Sequence, residues 1–260
     1  MTLLRARVAR AVALLSIGLL GVGCTATIDG RTRPAPKLTQ RPLTGQTVEQ
    51  VLLHGRTLSR ILNQSFNIDA RFPPQFGGPE ALQADGSASA VDCLGVAMML
   101  QHSVYQSTNV KDVAVETWRR AAKSVKVTSV KEGVVSLPTA ADANALFAKF
   151  SQQWQKCDGT TQPVPGSVFR FNAKTTNVQV ANSVLAATVS FAFSLPSSDS
   201  AAIPTGRAIG VRDNCLVEVE VNFFNTSNPS HQESDDMNTS ALDIAHAMMD
   251  KVSDLSLSSP

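Results

Sequence analysis

The sequence has 260 residues, 23 Lys plus Arg against 21 Asp plus Glu, a formal net charge of +2 and four cysteines. Three of the positive charges, Arg5, Arg7 and Arg10, sit in the first ten residues, so the remainder carries 20 basic against 21 acidic side chains. That balance lacks the basic footprint of a nucleic-acid-binding protein. Charged residues make up only 17% of a chain long enough for one domain with a sizeable core.

The three arginines are followed by an apolar run, Ala11 to Leu20, and then by small residues up to Cys24. This is the order of a secretory signal. The run is too short for a transmembrane helix, which needs about 20 apolar residues. A cysteine directly after a small residue resembles the cleavage site of a bacterial lipoprotein, with Gly21 where such signals usually carry Leu. The expectation is a signal over residues 1–23 and a lipid on Cys24, which would anchor the chain to the cell membrane from outside; plain secretion is the alternative. Residues 24–45 read as a tether, with Arg33-Pro-Ala-Pro-Lys-Leu-Thr-Gln-Arg-Pro42 extended and solvated. The domain proper is expected over 46–260.

Thr47-Val-Glu-Gln50 fits a capping box, and Val48, Val51, Leu52, Leu58, Ile61 and Leu62 fall near one face of a first helix. Phe72-Pro-Pro-Gln-Phe-Gly-Gly-Pro79 is a loop whose two phenylalanines either pin it to the core or rim a pocket. Asp92 is read as the cap of a short buried helix, Cys93 to Leu100, with methionines that fill the core or offer an adaptable surface. Strand-like alternation follows at 113–118, 123–130 and 133–137. Thr139-Ala-Ala-Asp142 then opens an amphipathic helix along Ala143, Leu146, Phe147, Phe150, Trp154 and Cys157, stopped by Asp158-Gly159.

Further strands are expected at 167–173, 179–193 (with a bend) and 207–224. In Cys215-Leu-Val-Glu-Val-Glu-Val-Asn-Phe223 the valines take one side while Glu218, Glu220 and Asn222 take the other. One packed and one wet face is the mark of an antiparallel sheet. After a polar loop, 225–238, a last helix starts at Thr239 and runs along Leu242, Ala245, Met248, Met249, Val252 and Leu255. The fold class is α+β, a twisted antiparallel sheet packed with helices.

No nucleophile elbow, zincin motif or phosphate-binding glycine loop is present, and His54, His102, His231 and His246 are scattered. Glu218 and Glu220 share one side of a strand, as an acidic pair or simply a solvated face. Glu233, Asp235 and Asp236 could hold a cation weakly or be an ordinary loop cluster. No cofactor, metal or nucleic-acid partner is expected. In an oxidising compartment Cys93, Cys157 and Cys215 permit three pairings. Cys93–Cys157 is favoured because both lie beside apolar helix stripes; Cys157–Cys215 is the alternative.

Val51-Leu-Leu53, Asp92-Cys93-Leu-Gly, Val104-Tyr105-Gln-Ser and Val134-Val-Ser-Leu-Pro138 occur in an order that resembles a known family. So do Phe150 with Gln153-Trp154-Gln155-Lys156-Cys157, and Arg212-Asp-Asn-Cys-Leu-Val217 before a Val-rich strand. The chain is similar, from about Thr47 to Leu255, to the extracellular sensor domain of PknH-type mycobacterial receptor Ser/Thr kinases, which also occurs alone in actinobacterial lipoproteins. The resemblance implies a single α+β domain with a large cleft that binds a ligand and carries no catalysis. Its members often have two disulfides, whereas this chain has the cysteines for one plus Cys215. The expected function is therefore a cell-envelope lipoprotein whose domain binds a small or lipidic ligand. The alternative is a non-catalytic protein that docks another envelope protein or a receptor kinase ectodomain; a hydrolase with an unrecognised site is the least favoured.

Overall fold

A computed structural model describes residues 40–84, 93–123, 126–164, 171–195, 198–199, 202–224 and 234–257. The signal, Cys24, most of the tether, Asp92, His231 and Glu233 lie outside them, as do the side chains of Asp235 and Asp236. Among the described residues, strands of one antiparallel sheet form the centre, in the order β1 (Phe66–Ile68), β3 (Asp112–Arg120), β4 (Val127–Ser136), β10 (Cys215–Phe223), β9 (Ile203–Arg212), β7 (Val184–Leu195), β6 (Phe171–Ala181) and β5 (Thr161–Val164). β2 (Gln75–Gly77) also pairs with β3, and β8 (Ser198–Asp199) with β7.

Both faces are covered. On one, α6 (Ser234–Leu257) lies over β9, β10 and β7, joined by α1 (Gln46–Glu49) and α2 (Gly55–Ile61). Val217, Val219 and Val221 point there, against Ile244, Ala245 and Met248. On the other, α3 (Leu94–Ala97), α4 (His102–Tyr105) and α5 (Ala140–Cys157) cover Val113, Val135, Ile209 and Leu216. The α+β class and the antiparallel sheet agree with the sequence reading. The wholly wet face of β10 does not: Leu216 and Glu218 are buried on it.

Several elements differ in extent. The expected first helix is two, because Leu53 N donates to Glu132 Oε1 (3.4 Å) and Leu52 O accepts from Lys251 Nζ (2.5 Å). These bonds divert the backbone groups a continuous helix would use. α3 ends at Ala97, since the carbonyls of Gly95 and Val96 accept from Arg207 instead. The strands read at 123–130 and 133–137 are one, β4, passing through Gly133. A Cβ at Gly133 would sit 2.6 Å from Leu100 Cδ1, so only glycine lets Leu100 lie on the sheet there. The bend expected in 179–193 is a hairpin turn at Asn182–Ser183, both with positive φ (51° and 63°), the requirement of a primed two-residue turn. A second hairpin turns at Asp213–Asn214 between β9 and β10.

Packing begins ahead of residue 46, where the tether was expected to end. Leu43 is buried, its N–H donates to Asn214 Oδ1 (2.7 Å), and its carbonyl accepts from Asn214 Nδ2 (2.9 Å).

Candidate functional site

Reading along the strands on the α5 face, the inward residues change character from one end to the other. β10 offers Leu216, then Glu218, Glu220 and Asn222; β4 offers Val135, Gly133, Lys131 and Ser129; β3 offers Val113, Val115 and Thr117. The register aligns them in rows: Glu218 lies opposite Gly133 and Ile209, Glu220 opposite Lys131 and Arg207, and Asn222 opposite Ser129 and Thr205. The face is apolar under the helices, ionic in the middle and wet at the far end.

Bridging two of these rows is an ion network out of reach of water. Arg207 is 0% exposed and Glu218 2%, with Arg207 Nη2 to Glu218 Oε2 at 3.0 Å. The guanidinium also donates to Val96 O (3.0 Å), Val219 O (3.1 Å) and Gly95 O (3.2 Å), and lies 5.7 Å from the centre of the Trp154 ring. Glu218 Oε1 accepts from Leu100 N (3.2 Å) and from the Tyr105 hydroxyl (2.5 Å). Burial first, and then the Glu218 charge, raises the Tyr105 pKa well above its usual value, so this hydroxyl remains a donor. A buried pair is tolerable when its remaining donors and acceptors are satisfied, as they are here. The network ties α3 and α4 to the sheet.

Beyond it the helices stop and the face opens into a pocket of about 260 Å³. Its floor is Thr117, Ser129, Lys131, Glu220 and Asn222, and its side is the segment around Phe72. That segment is placed by pairing: β1 and β2 both hydrogen-bond to β3, Ile68 opposite Trp118 and Gln75 opposite Val115, so residues 69–74 bow out between them. Asp69 N donates to Thr117 O (2.8 Å), and the buried Asp69 carboxylate holds Arg71 through Nε (2.9 Å) and Nη2 (2.6 Å). The hydrogen bonds from Arg71 lower the Asp69 pKa to about 2.

Within the floor Asn222 is committed. Its Nδ2 donates to Glu220 Oε1 (3.1 Å) and Ser129 Oγ (3.2 Å), and its Oδ1 accepts from Thr205 Oγ1 (2.8 Å). Lys131 is not: among the described residues its ammonium has no hydrogen bond or ion pair, although it is half-buried. Desolvation lowers its pKa, against the opposing pull of Glu220. Of the two loop phenylalanines, Phe72 is 58% exposed and lines this pocket, so the pocket reading holds for it. Phe76 belongs to β2 and is exposed, pinned to no core.

The remaining candidates fall elsewhere. Cys93 and Cys157 form a disulfide, with Cα atoms 5.7 Å apart. Cys215 is a buried free thiol in the core of the α6 face, and burial pushes its pKa up to about 12. The sheet separates it from Cys157, so the Cys157–Cys215 alternative does not occur. A larger hollow, about 540 Å³, lies beside the disulfide. Five of its seven lining residues come from α5, among them the exposed Lys149, Gln152 and Lys156. Met99 fills the core, and His54, His102 and His246 lie apart, at the N-cap of α2, on α4 and on α6. Glu218 and Glu220 are neither an acidic pair nor a solvated face, since one is sealed in an ion pair and the other lines the pocket. Among the described residues no group of three or more His, Cys, Asp or Glu is placed to hold a metal ion, and no helix is long and apolar enough to cross a membrane. Sequence reasoning missed Arg207, Lys131 and Thr117; polar residues at alternate positions on neighbouring strands were the available signal, once the register was known.

No curated protein matches the chain. Among solved structures it is similar to the crystal structure of the extracellular domain of PknH from Mycobacterium tuberculosis, with a TM-score of 0.64 and 19% identity over 83% of this chain and 99% of that one. At that identity the likeness establishes the fold. The model of the PknH-like extracellular domain family matches residues 43–251, from the Leu43 anchor to the last turns of α6. The chain belongs to the PknH-like extracellular domain family.

Proposed function

We propose that the chain is an extracytoplasmic, non-catalytic sensor domain, exported by its signal, held at the membrane by a lipid on Cys24, and built to capture a small polar ligand. The observation that carries this reading is the pocket at the open end of the α5 face. It combines a concave wall, a few convergent polar groups and an exposed aromatic ring, the usual elements of a small-molecule site. Its floor favours a polar ligand over the lipidic one that the sequence left open, because an acyl chain would desolvate the Lys131 ammonium and the Glu220 carboxylate without pairing them.

Native mass spectrometry of the chain, exported and gently purified from an actinobacterial host, tests the capture. A reproducible adduct that is lost in Lys131→Glu supports it; a bare protein after incubation with a polar envelope extract overturns it. Cys24→Ala should move the protein from the membrane to the soluble fraction, and continued membrane retention would refute the lipid anchor. One observation favours the second reading, docking of another envelope protein: Ile68, Phe72 and Phe76 are large apolar side chains exposed along the same edge of the sheet. A bare protein that pulls down an envelope partner through these three residues would decide for it.

A further inference from the structure

Resting on the reading of this pocket as a ligand site, we infer its ligand class: a compact, uncharged, hydroxyl-rich molecule, a saccharide ring, gripped between Lys131 and Glu220 and flanked by Phe72. Size comes first. At about 260 Å³ the cavity falls just below the span of small-molecule pockets, roughly 300–1,000 Å³. That suits one or two rings and not a long chain.

Charge comes next. Asp69 is matched by Arg71 and Glu218 by Arg207, which leaves Lys131 and Glu220, directly opposite in register, as one positive and one negative group on the floor. A ligand with a single net charge is attracted by one and repelled by the other. The open hydrogen-bonding positions are of both kinds. Lys131 has three donors and no partner among the described residues, and Glu220 Oε2 is an acceptor outside the Asn222 bond. Thr117 and Ser129 add hydroxyls beside them. Adjacent hydroxyls on a ring donate and accept at once, so one ligand satisfies both sides without bringing charge. The C–H edges of such a ring, in turn, suit apolar contact with Phe72, which lines the pocket with the Arg71 guanidinium 5.7 Å from its ring centre. A site made to hydrogen-bond hydroxyls also rejects analogues that lack them, because its own polar groups are then left unpaired.

Ligand-observed saturation-transfer NMR on the purified exported protein tests the class with four probe sets. These are neutral sugars (glucose, galactose, mannose, N-acetylglucosamine and their disaccharides), the zwitterions glycine and dialanine, inorganic phosphate, and decanoate. The expected result is binding of at least one sugar, weakened about tenfold or more by Lys131→Gln and by Glu220→Gln. Thr117→Val, which changes no charge, should weaken it less, and melting temperatures should confirm that all three variants fold. Sugar binding that none of the variants disturbs would overturn the pocket as the site. Variant-sensitive binding of a zwitterion, phosphate or decanoate with no sugar would overturn the class and leave the pocket reading standing. Silence from all four sets would overturn both.

Discussion

On the α6 face, Glu132 is fully buried, accepting from Trp118 Nε1 (3.1 Å) and Leu53 N (3.4 Å). Burial raises its pKa to about 8, with the neighbouring Glu116 pushing the same way and Lys251 opposing. The folded protein therefore keeps a proton that the unfolded chain has released above its ordinary value of 4.5. Stability should fall as pH rises from there to about 8, and level off above it. Urea denaturation across that range should show the decline, and Glu132→Gln should flatten most of it; Glu116, also raised, supplies the remainder. Glu218, on the opposite face of the neighbouring strand, is held differently, by the Arg207 guanidinium. Glu218→Ala strands that charge in the core and should cost about 3–5 kcal/mol, read by the same denaturation assay. Sequence could place Glu218, Glu220 and Asn222 on one side of a strand. It could not say which would be sealed, because that depends on Arg207, a residue of the adjoining strand, and on how far α3 reaches.

At the scale of elements, α5 was the most legible. Thr139 Oγ1 accepts from Asp142 N (3.1 Å), and Ala143, Leu146, Phe150, Trp154 and Cys157 are its buried stripe. Thr139→Ala should cost about 1 kcal/mol, measured as a drop in denaturation midpoint. α5 ends at a bridge to the start of α3, joining two cysteines 64 positions apart in sequence. Replacing both by serine should cost about 4 kcal/mol by loop-closure entropy, a loss that denaturation of the double variant would measure. Failures of the reading came where side chains claimed backbone groups. Lys251 and Glu132 break the first helix in two, and Arg207 shortens α3; neither act shows in local periodicity. The hairpin at Asn182–Ser183 was hidden by the reverse circumstance. Its flanking residues, Val178 to Ala181 and Val184 to Val189, contain no Gly or Pro, and the only mark of the turn is an Asn-Ser pair that tolerates positive φ.

Among the described residues the domain is one sheet sandwiched by helices, and its stability is expected to be graded across the sheet. β4, β9 and β10 are central and covered on both faces, whereas β1 and β5 are edges. Hydrogen exchange should find the slowest amides in the central strands and the fastest in the edges. Equal protection throughout would show instead that the domain opens only as a unit. Topology of this kind was legible only as a class. Antiparallel pairing follows from alternation, but the strand order, in which β4 pairs with β10, joins segments far apart in sequence and leaves no local trace.

The Asn214 clasp on Leu43 fixes where the chain enters the domain. The chain enters the domain at the turn that starts β10, and the pocket lies at the other end of that strand, near Asn222. Eight residues at about 3.3 Å each separate the two by about 26 Å. A pull on the chain ahead of Leu43 would therefore load the Asn214 turn and leave the pocket, a strand's length away, undisturbed.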